Sequence, residues 1–339
     1  MKPHSNPAVR RLSVLVAALL ALSFSAACSS DSSSSADDTS GPWSFVDGSG
    51  ETVQVDHTPK RIIAHAYAAA ALMSFGIKPI AVWADSDVTT DPGTKDLDLS
   101  GVEILGETFG EIDVEKAASL RPDLIVGDWW PVENAHSGFE AGVKEESKKL
   151  ADLAPVVGPS QGDSIVELIE GYEKLAASLG GKLDDPTVAA NKQRFETARS
   201  NFTQATAAKP GLTALAVSPT TDGLAVAVPK YAPELLDFQS WGLNVVDPER
   251  PDEGFPYWET LSWENADRYQ PDLLLIDDRS YPANLDDAKK QPSWTSVAAA
   301  KADSVVPWPA YWLHTYSDYA TQLEQLTKAV QSANADLVG

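Results

Sequence analysis

The segment PKRIIAHAYAAAALMSFGIKPIAVW, residues 59–83, carries the pattern that decides the fold. Its runs at 62–64 and 80–83 are short and apolar, which is typical of buried strands. Residues 68–75 between them have helical spacing and end at Gly76, and glycine often closes a helix because it readily adopts positive φ. The segment therefore predicts a strand, a helix and a second, parallel strand.

The same alternation continues along the chain. Further strands are expected at 102–105, 124–126, 212–217, 224–228, 244–246 and 273–276. Further helices are expected at 114–120, 163–179, 186–208, 233–241, 265–269 and 319–330. The helix that begins at Pro186 would be about 35 Å long, enough to act as a stiff strut between two halves. The sequence predicts an α/β protein with two three-layer lobes, mainly parallel sheets and one long α-helix joining them.

The charge and the cysteine count exclude several classes of protein. The chain of 339 residues has 49 acidic and 26 basic side chains, a net charge of −23, and nucleic acid phosphates would repel so acidic a protein. One cysteine excludes an internal disulfide and any site built from several cysteines, and five histidines offer little for a histidine-based metal site.

The N-terminus resembles that of a bacterial lipoprotein. Residues 12–22 form an apolar run too short to span a bilayer but suited to a signal peptide, and small residues precede Cys28. Ser25 stands where this lipobox motif usually has Leu. We expect a signal peptide at 1–27, a lipidated Cys28 and a Ser-rich tether at 28–42, which would anchor the protein to the outer face of the cytoplasmic membrane by lipid alone. A plain secretory signal with an incidental cysteine is the alternative.

An internal repeat links the two halves. Phe109 is followed six residues later by Glu115, and a Pro-Asp-Leu sequence begins seven residues after that. Trp258, Glu264 and a second Pro-Asp-Leu have the same spacing. Each Glu could simply begin a short helix, where a carboxylate interacts favourably with the helix dipole. The other interpretation is a matched pair of exposed anions, one in each half, that dock on a partner.

Residues 43–83 resemble the substrate-binding proteins of ABC importers for ferric siderophores, haem and vitamin B12. The features are a hairpin at 45–55, the PKRI and GIKPIAV sequences, LRPDLIV at 120–126 and KLADLAPVV at 149–157. The resemblance covers nearly all of residues 43–335. It implies an N-terminal lobe at 43–160, a connecting helical segment at 161–209 and a C-terminal lobe at 210–337, with the ligand in a cleft between lobes that move little.

The resemblance also implies roles for individual residues. Glu115 and Glu264 fall at the positions that form salt bridges with arginines of the permease dimer. The ligand-binding residues implied are Tyr67, Trp83, Phe109, Trp130, Trp258, Arg279, Tyr281, Trp312 and His314. Whether Trp129 or Trp130 faces the cleft, whether His314 lies in the pocket or in a loop, and whether Arg279 instead pairs with Asp277 or Asp278 stay open.

Pocket chemistry favours a ferric hydroxamate that is neutral or cationic. A tris-catecholate complex carries about three negative charges, and burying it without cationic partners would be very costly. Arg279 and Lys230 are the basic candidates in the cleft, against Asp85, Asp87 and Asp128. Phe109 stands where a hydroxamate-binding member of the family has Arg. Because the siderophore already fills the coordination sphere of iron, we expect no protein metal ligand and no cofactor.

Three alternatives come from other classes of ligand or function. Haem could take Tyr67 or His314 as an axial ligand, and vitamin B12 could occupy an aromatic cleft. A secreted hydrolase is the remote alternative, because the chain has no phosphate loop, GxSxG or HExxH motif and its single cysteine is assigned to lipid. We therefore expect a monomeric binding protein rather than an enzyme.

Overall fold

The computed structural model describes residues 41–279 and 283–337. The expected signal peptide, Cys28 and most of the tether lie outside the described residues, as does Tyr281. In the described part, the strands in chain order are β1 Trp43–Val46, β2 Thr52–Val55, β3 Ile62–His65, β4 Ala81–Ala84, β5 Glu103–Glu107, β6 Leu124–Val126, β7 Trp129–Trp130, β8 Ala135–His136, β9 Val156–Val157, β10 Thr213–Pro219, β11 Gly223–Ala227, β12 Asn244–Val245, β13 Trp258–Ser262, β14 Leu273–Asp277 and β15 Val305–Trp308.

The α-helices in the same residues are α1 Ala66–Ser74, α2 Val114–Ser119, α3 Glu145–Lys148, α4 Ile165–Ser178, α5 Pro186–Ala207, α6 Pro233–Ser240, α7 Ala283–Lys289, α8 Ala298–Lys301 and α9 Tyr316–Ser332. Short 3₁₀ helices lie at Lys149–Asp152, Pro229–Tyr231, Trp263–Asn265 and Trp294–Ser296. None of the helices in the described ranges is long and apolar enough to cross a membrane.

The first sheet has the strand order β5-β4-β3-β6-β9, and each neighbouring pair is parallel. Its central strand β3 is buried along its whole length. A parallel sheet covered on both faces needs apolar residues at successive positions rather than in alternation. This requirement explains why β3, β4 and β6, which are buried along their whole length, were recognisable as continuous apolar runs.

The second sheet has the order β13-β11-β10-β14-β15, and β12 pairs with the beginning of β10. β12 and β14 run parallel to β10, and β15 runs parallel to β14, whereas β11 is antiparallel to both of its neighbours. The predicted fold class, two α/β lobes with mainly parallel sheets, is confirmed. The residue boundaries of the lobes remain predictions.

The repeated Pro-Asp-Leu sequence has the same structural role in both sheets. The carboxylate of Asp123 accepts hydrogen bonds from the backbone N–H groups of Lys60 and Arg61, just before β3, at distances down to 2.8 Å. Asp272 accepts from the backbone N–H of Thr213, the first residue of β10, at 2.9 Å. In each lobe the aspartate therefore fixes its strand beside the central strand.

The long helix forms where the sequence places it. Asp185 caps α5 by accepting the backbone N–H of Thr187 at 2.8 Å, and Pro186 occupies the first turn, where no N–H is needed. Arg194 then makes two hydrogen bonds to Glu324 of α9, at 2.9 and 2.8 Å. The helix is thus fastened to the second lobe along its side.

One contiguous apolar core connects the two sheets. It runs from Ala64 and Leu124 in the first sheet, through Tyr172 of α4 and Phe195 of α5, to Leu275 in the second sheet. Separating the lobes would expose this surface at a cost of about 25 cal/mol per Å². The lobes are therefore held at a restricted angle.

The helix predicted at 265–269 is wrong. The chain forms a 3₁₀ turn at Trp263–Asn265 and then leaves helical geometry. The side chains of Arg268 and Tyr269 bond Glu259 on β13 instead of lying along a helix, with Tyr269 Oη 2.8 Å from the carboxylate. Pro271 also disfavours helical geometry in the residue before it.

The sequence patterns missed the edge strands β9, β13 and β15 and the short hairpin β7–β8, and two of these strands contain a predicted site residue. Trp258 is the first residue of β13, and Trp130 lies in the short strand β7. β15 contains Pro307, which a sheet accepts at its edge because no N–H is then required. Proline obscured this strand in the sequence.

Candidate functional site

Aromatic side chains from both lobes meet around Tyr311. The rings of Trp130, Tyr257, Trp258 and Trp308 have centroids 6.0 to 6.4 Å from that of Tyr311. Trp130 belongs to the N-terminal lobe and the other members to the C-terminal lobe. We call these five residues the interlobe aromatic cluster. Sequence reasoning had named Trp130 and Trp258 and had missed the rest.

A short hairpin decides which tryptophan of the Trp129–Trp130 pair faces the other lobe. β7 pairs with β8, so adjacent side chains point to opposite faces. Trp130 lies against Tyr311, and its indole N–H donates to Ser137 Oγ at 2.9 Å. Trp129 packs on His136, with ring centroids 5.0 Å apart. Trp130 is therefore the member that faces the C-terminal lobe.

Arg279 is fixed against the interlobe aromatic cluster. Its guanidinium donates two hydrogen bonds to Asp277, at 3.0 and 2.7 Å, and lies 5.3 Å from the centroid of the Tyr311 ring. Burial works against the charge, but the Asp277 carboxylate outweighs it and raises the pKa of Arg279. The group is a permanent, oriented cation whose charge its neighbour balances.

The next carboxyl along the chain holds Trp312. The Trp312 indole N–H donates to Asp278 Oδ1 at 2.7 Å. Burial and the adjacent charge of Asp277 raise the pKa of Asp278 to about 7, although the hydrogen bond from Trp312 acts in the opposite direction. This carboxyl group therefore changes its charge near neutral pH.

Tyr67 and Trp312 meet at Gly93, and His314 lies beside Tyr67. A methyl group on Gly93 would lie 3.0 Å from Tyr67 Cε1 and 3.2 Å from Trp312 Cβ, so a larger residue there would press on both side chains. The Tyr67 hydroxyl donates to Asp91 at 2.8 Å, and the Tyr67 ring lies 5.6 Å from the His314 ring. These three predicted site residues therefore pack against one another.

His314 is a buried link between the lobes. Its Nε2 lies 2.7 Å from Asp128 Oδ2, and the two side chains are 1% and 2% exposed. Tyr172 and Gln161 also donate to Asp128. Burial raises the pKa of Asp128, but the interaction with His314 and the hydrogen bond from Tyr172 outweigh it and hold the pKa below its usual value. His314 is thus engaged inside the protein.

A second histidine and acid pair lies at the ends of β3 and β4. His65 Nε2 is 3.4 Å from Asp85 Oδ2, and neither ring nitrogen of His65 makes a hydrogen bond within the described residues. Burial lowers the pKa of His65, yet the Asp85 carboxylate outweighs it and the net shift is upward. Burial raises the pKa of nearby Glu140.

The remaining predicted residues do not join the cluster. Trp83 is 2% exposed and packs inside the N-terminal lobe, 5.7 Å from the His65 ring. Phe109 is 48% exposed and makes no ring contact with an aromatic side chain of the described ranges. Its ring lies over Gly142. Tyr281 falls outside the described residues.

The sequence did not predict two further features of this region, a hydrogen bond between the lobes and the unusual environment of Tyr311. Tyr257 donates to Glu133 of the N-terminal lobe at 3.1 Å, which adds a hydrogen bond across the cleft. The Tyr311 hydroxyl is buried with no partner among the described side chains, and the Tyr311 backbone has a φ of 65°. Left-handed geometry is uncommon for a residue other than glycine and often marks a functional position. The aromatic tandem Tyr311–Trp312 was the available sequence signal.

Glu115 and Glu264 are both exposed. Glu115 lies in the first turn of α2, which Asp113 caps, and Glu264 lies in the 3₁₀ turn after β13. Neither forms an ion pair within the described part of the chain. Both carboxylates are free to meet an outside cation.

Other charges in this region are acidic or engaged. Lys230 Nζ lies 5.1 Å from the centroid of the Tyr231 ring, and that ring packs beside the Tyr257 ring. Within residues 41–279 and 283–337, no group of three or more His, Cys, Asp or Glu side chains is arranged to hold a metal ion. The protein therefore offers a ligand aromatic ring faces, one guanidinium group and several carboxyl groups.

The comparisons with known proteins agree on one family. The family model for periplasmic binding proteins matches residues 70–312. DesE, a ferric-siderophore receptor protein from Streptomyces coelicolor, is 31% identical, with a TM-score of 0.77 over 86% of this chain and 99% of that one. No curated protein sequence matches the chain.

Two more distant structures share the fold. A siderophore periplasmic binding protein from the fuscachelin gene cluster of Thermobifida fusca is 22% identical, with a TM-score of 0.59 over 80% of this chain and 96% of that one. FhuD2 from Staphylococcus aureus, solved with bound ferrioxamine B, is 20% identical, with a TM-score of 0.56 over 80% of this chain and 98% of that one.

Proposed function

The chain belongs to the periplasmic binding protein family, and from this premise we propose that it captures a ferric siderophore and delivers it to the permease of an ABC importer. Proteins of this family bind solutes outside the cytoplasm. The observation that carries the proposal is the interlobe aromatic cluster, in which Trp130 and Trp258 from different lobes meet at Tyr311 beside an oriented arginine. Apolar ligand surfaces would stack on the half-buried rings of Trp130 and Trp258, which Tyr311 supports from below the surface.

We propose a hydroxamate complex that is neutral or cationic. Arg279 is balanced by Asp277, so it can donate to a ligand oxygen but brings no surplus positive charge. Asp85 stays ionised because His65 and Arg279 lower its pKa against the effect of burial. A trianionic catecholate would find too few cations here, whereas a protonated amine on the ligand would be favoured.

The same contacts argue against haem. The Tyr67 hydroxyl group donates a hydrogen bond to Asp91. Both ring nitrogens of His314 are engaged, Nε2 with Asp128 and Nδ1 with the backbone carbonyl of Trp312, which is 3.0 Å away. An axial ligand needs a free donor atom on the cleft surface. Vitamin B12 has no specific observation in its favour.

We propose that Glu115 and Glu264 dock on arginines of the permease and that Cys28 carries the lipid anchor. Exposure and the lack of an ion pair at both Glu residues within the described ranges support the docking role. The lipobox-like sequence before Cys28 supports the anchor.

The ligand is tested by tryptophan-fluorescence titration with a ferrioxamine, a ferrichrome, a ferric catecholate, haemin and cyanocobalamin, followed by calorimetry. We expect saturable binding of a hydroxamate complex. Trp258→Ala should weaken it about tenfold or more, because central aromatic side chains dominate binding energy. Trp263→Ala is the matched control, since Trp263 bonds the carbonyls of Thr220 and Thr221 away from the cluster. Binding of haemin or cyanocobalamin alone would overturn the ligand assignment.

Docking is tested by siderophore uptake in cells. The double variant Glu115→Arg with Glu264→Arg should abolish uptake and leave ligand affinity unchanged. A control with the same change in charge at other exposed positions, Glu146→Arg with Asp286→Arg, should retain uptake. Weaker ligand binding by the first variant would place these residues in the cleft instead.

Anchoring is tested by fractionation of cells. Cys28→Ala should release the protein into the medium, whereas Ser29→Ala should leave it on the membrane. Membrane attachment of the Cys28→Ala protein would refute the anchor.

A further inference from the structure

Glu234 is a buried carboxyl group that the proposed function does not yet use. It is the second residue of α6, after Pro233, and its side chain is 0% exposed. Oε1 accepts the backbone N–H of Tyr311 at 3.1 Å, and Oε2 has no hydrogen-bond partner in the described part of the chain. Glu234 thus touches the centre of the interlobe aromatic cluster through the backbone.

The residue that Glu234 holds is under strain. Tyr311 has left-handed geometry, with a φ of 65°, in which the Cβ atom crowds the following carbonyl oxygen. Such a conformation persists only where the surroundings enforce it. The hydrogen bond to Glu234, the Arg279 guanidinium over the ring and the contact with Trp130 are the enforcing contacts.

We propose that Glu234 is a positioning residue that, in its neutral form, seats the Tyr311 ring as the floor of the ligand cleft, so that ligand capture weakens when Glu234 ionises. The inference rests on the proposed function only for the identity of the ligand. The seating of Tyr311 can be tested without any ligand.

The surroundings of Glu234 favour the neutral form. Arg279 is the attractive charge that faces it, and this guanidinium is already bonded to Asp277. Asp237 on the same helix repels a charge on Glu234, and the hydroxyl groups of Tyr311 and Tyr319 face it as further titratable groups. Burial raises the pKa of Glu234 to about 8, although backbone N–H groups and Arg279 act in the opposite direction.

Ionisation would disturb the seat. A buried carboxylate without its own cation is stabilised when water enters beside it or when it draws Arg279 away from Asp277. Either movement alters the contacts that hold Tyr311 in left-handed geometry. The ligand would then meet a displaced ring.

The experiment measures the affinity for ferrioxamine B at pH 7 and pH 9 by calorimetry. If only the neutral form captures the ligand, wild-type affinity falls about tenfold between these pH values, as the competent fraction falls. Glu234→Gln keeps an acceptor for the Tyr311 N–H and cannot ionise, so it should bind at pH 7 like the wild type and retain that affinity at pH 9. Glu234→Ala removes the acceptor and should weaken binding at both pH values.

Asp318→Asn is the matched control, because burial also raises the pKa of Asp318, which caps α9 with Thr315. This variant should keep the wild-type pH profile. Asp278 titrates in the same range, but it is present in every protein compared, so the difference between wild type and Glu234→Gln isolates Glu234. Parallel pH profiles in these two proteins would overturn the inference.

A second measurement separates the two proposals. Near-ultraviolet circular dichroism of the ligand-free protein should change between pH 7 and 9 in the wild type and not in Glu234→Gln. If the protein binds no siderophore but shows this spectral difference, siderophore capture is refuted and the positioning of Tyr311 by Glu234 is supported. Siderophore binding without the difference refutes the seat alone.

Discussion

One position of the internal repeat holds a buried aspartate in both lobes, and the two residues do different work. Asp128 lies five residues after Asp123, and Asp277 lies five residues after Asp272. They are 2% and 3% exposed. Asp128 lies two residues after β6 and Asp277 is the last residue of β14, so both stand at the carboxyl end of the strand that the Pro-Asp-Leu aspartate fixes beside the central strand. The folds of the two lobes therefore place them equivalently.

Their partners come from different distances along the chain. Asp128 accepts hydrogen bonds from Tyr172 of α4 and from Gln161, and it pairs with His314 on the far side of the cleft. Asp277, at the end of β14, pairs with Arg279, two residues further along the chain. The difference teaches that a repeated position can fasten the lobes in one copy and orient a ligand-binding side chain in the other.

The largest effect should come from Asp128→Asn. The amide of Asn can accept at one position only, so buried donors among His314, Tyr172 and Gln161 lose their acceptor, which costs about 1–3 kcal/mol for each. Asp277→Asn should cost about 1 kcal/mol, because the Arg279 side chain is 39% exposed and water can solvate it. Urea unfolding gives both free energies. Equal losses of unfolding free energy in the two variants would contradict the different roles assigned to Asp128 and Asp277.

His314→Gln supplies the control for this prediction. If the contact with His314 carries the loss, the double variant with Asp128→Asn should be less destabilised than the sum of the single variants. Additive losses would mean that Tyr172 and Gln161, rather than His314, account for the effect.

Acid should remove the contribution of Asp128. The pKa of Asp128 is below 3.8 in the folded protein, so its stabilisation is present above pH 3.8 and is lost as the pH falls through the folded-state pKa. The difference in unfolding free energy between wild type and Asp128→Asn should therefore shrink between pH 5 and pH 2. A difference that is constant over this range would mean that the carboxylate charge is not what stabilises the link.

Asp277→Asn should act on the ligand more than on the fold. Asn can accept only one of the two hydrogen bonds that Arg279 donates to Asp277, so the Arg279 side chain would sample several conformations, and ordering it again on binding costs about 0.5–1.5 kcal/mol. Affinity for ferrioxamine B, measured by calorimetry, should fall about three- to tenfold. Arg279→Lys is the companion variant, since it keeps the charge and loses the paired geometry. Unchanged affinity in both variants would remove Arg279 from the ligand site.

Sequence patterns predicted the fold well where the pattern is local. The central strands were recognisable as apolar runs, and α5 was recognisable from Pro186 and its helical spacing. β13 and β15 were missed because edge strands need no continuous apolar run and tolerate Pro307. The helix expected at 265–269 failed because side-chain bonds to Glu259 outweigh local propensity.

The site was predictable in part. Trp130, Trp258 and Arg279 could be named from their places in the repeat and the family resemblance. The pairing of His314 with Asp128 joins residues 186 positions apart, and no spacing in the sequence reports it. Tyr311 was missed because its neighbour Trp312 offers the same aromatic signal, and the left-handed backbone that decides between them is a tertiary effect.

The smallest effect concerns the aspartates that the lobes use alike. Asp123→Asn and Asp272→Asn should each cost about 1 kcal/mol, because an amide can accept at one position only and presents an N–H where the second oxygen accepted. The loss should be larger for Asp272, which also accepts from the Thr213 hydroxyl at 2.9 Å and from the backbone N–H of Leu337 at 3.0 Å. Urea unfolding of the two variants measures the difference. A larger loss at Asp123 would show that the Pro-Asp-Leu repeat, like the position five residues after it, has diverged between the lobes.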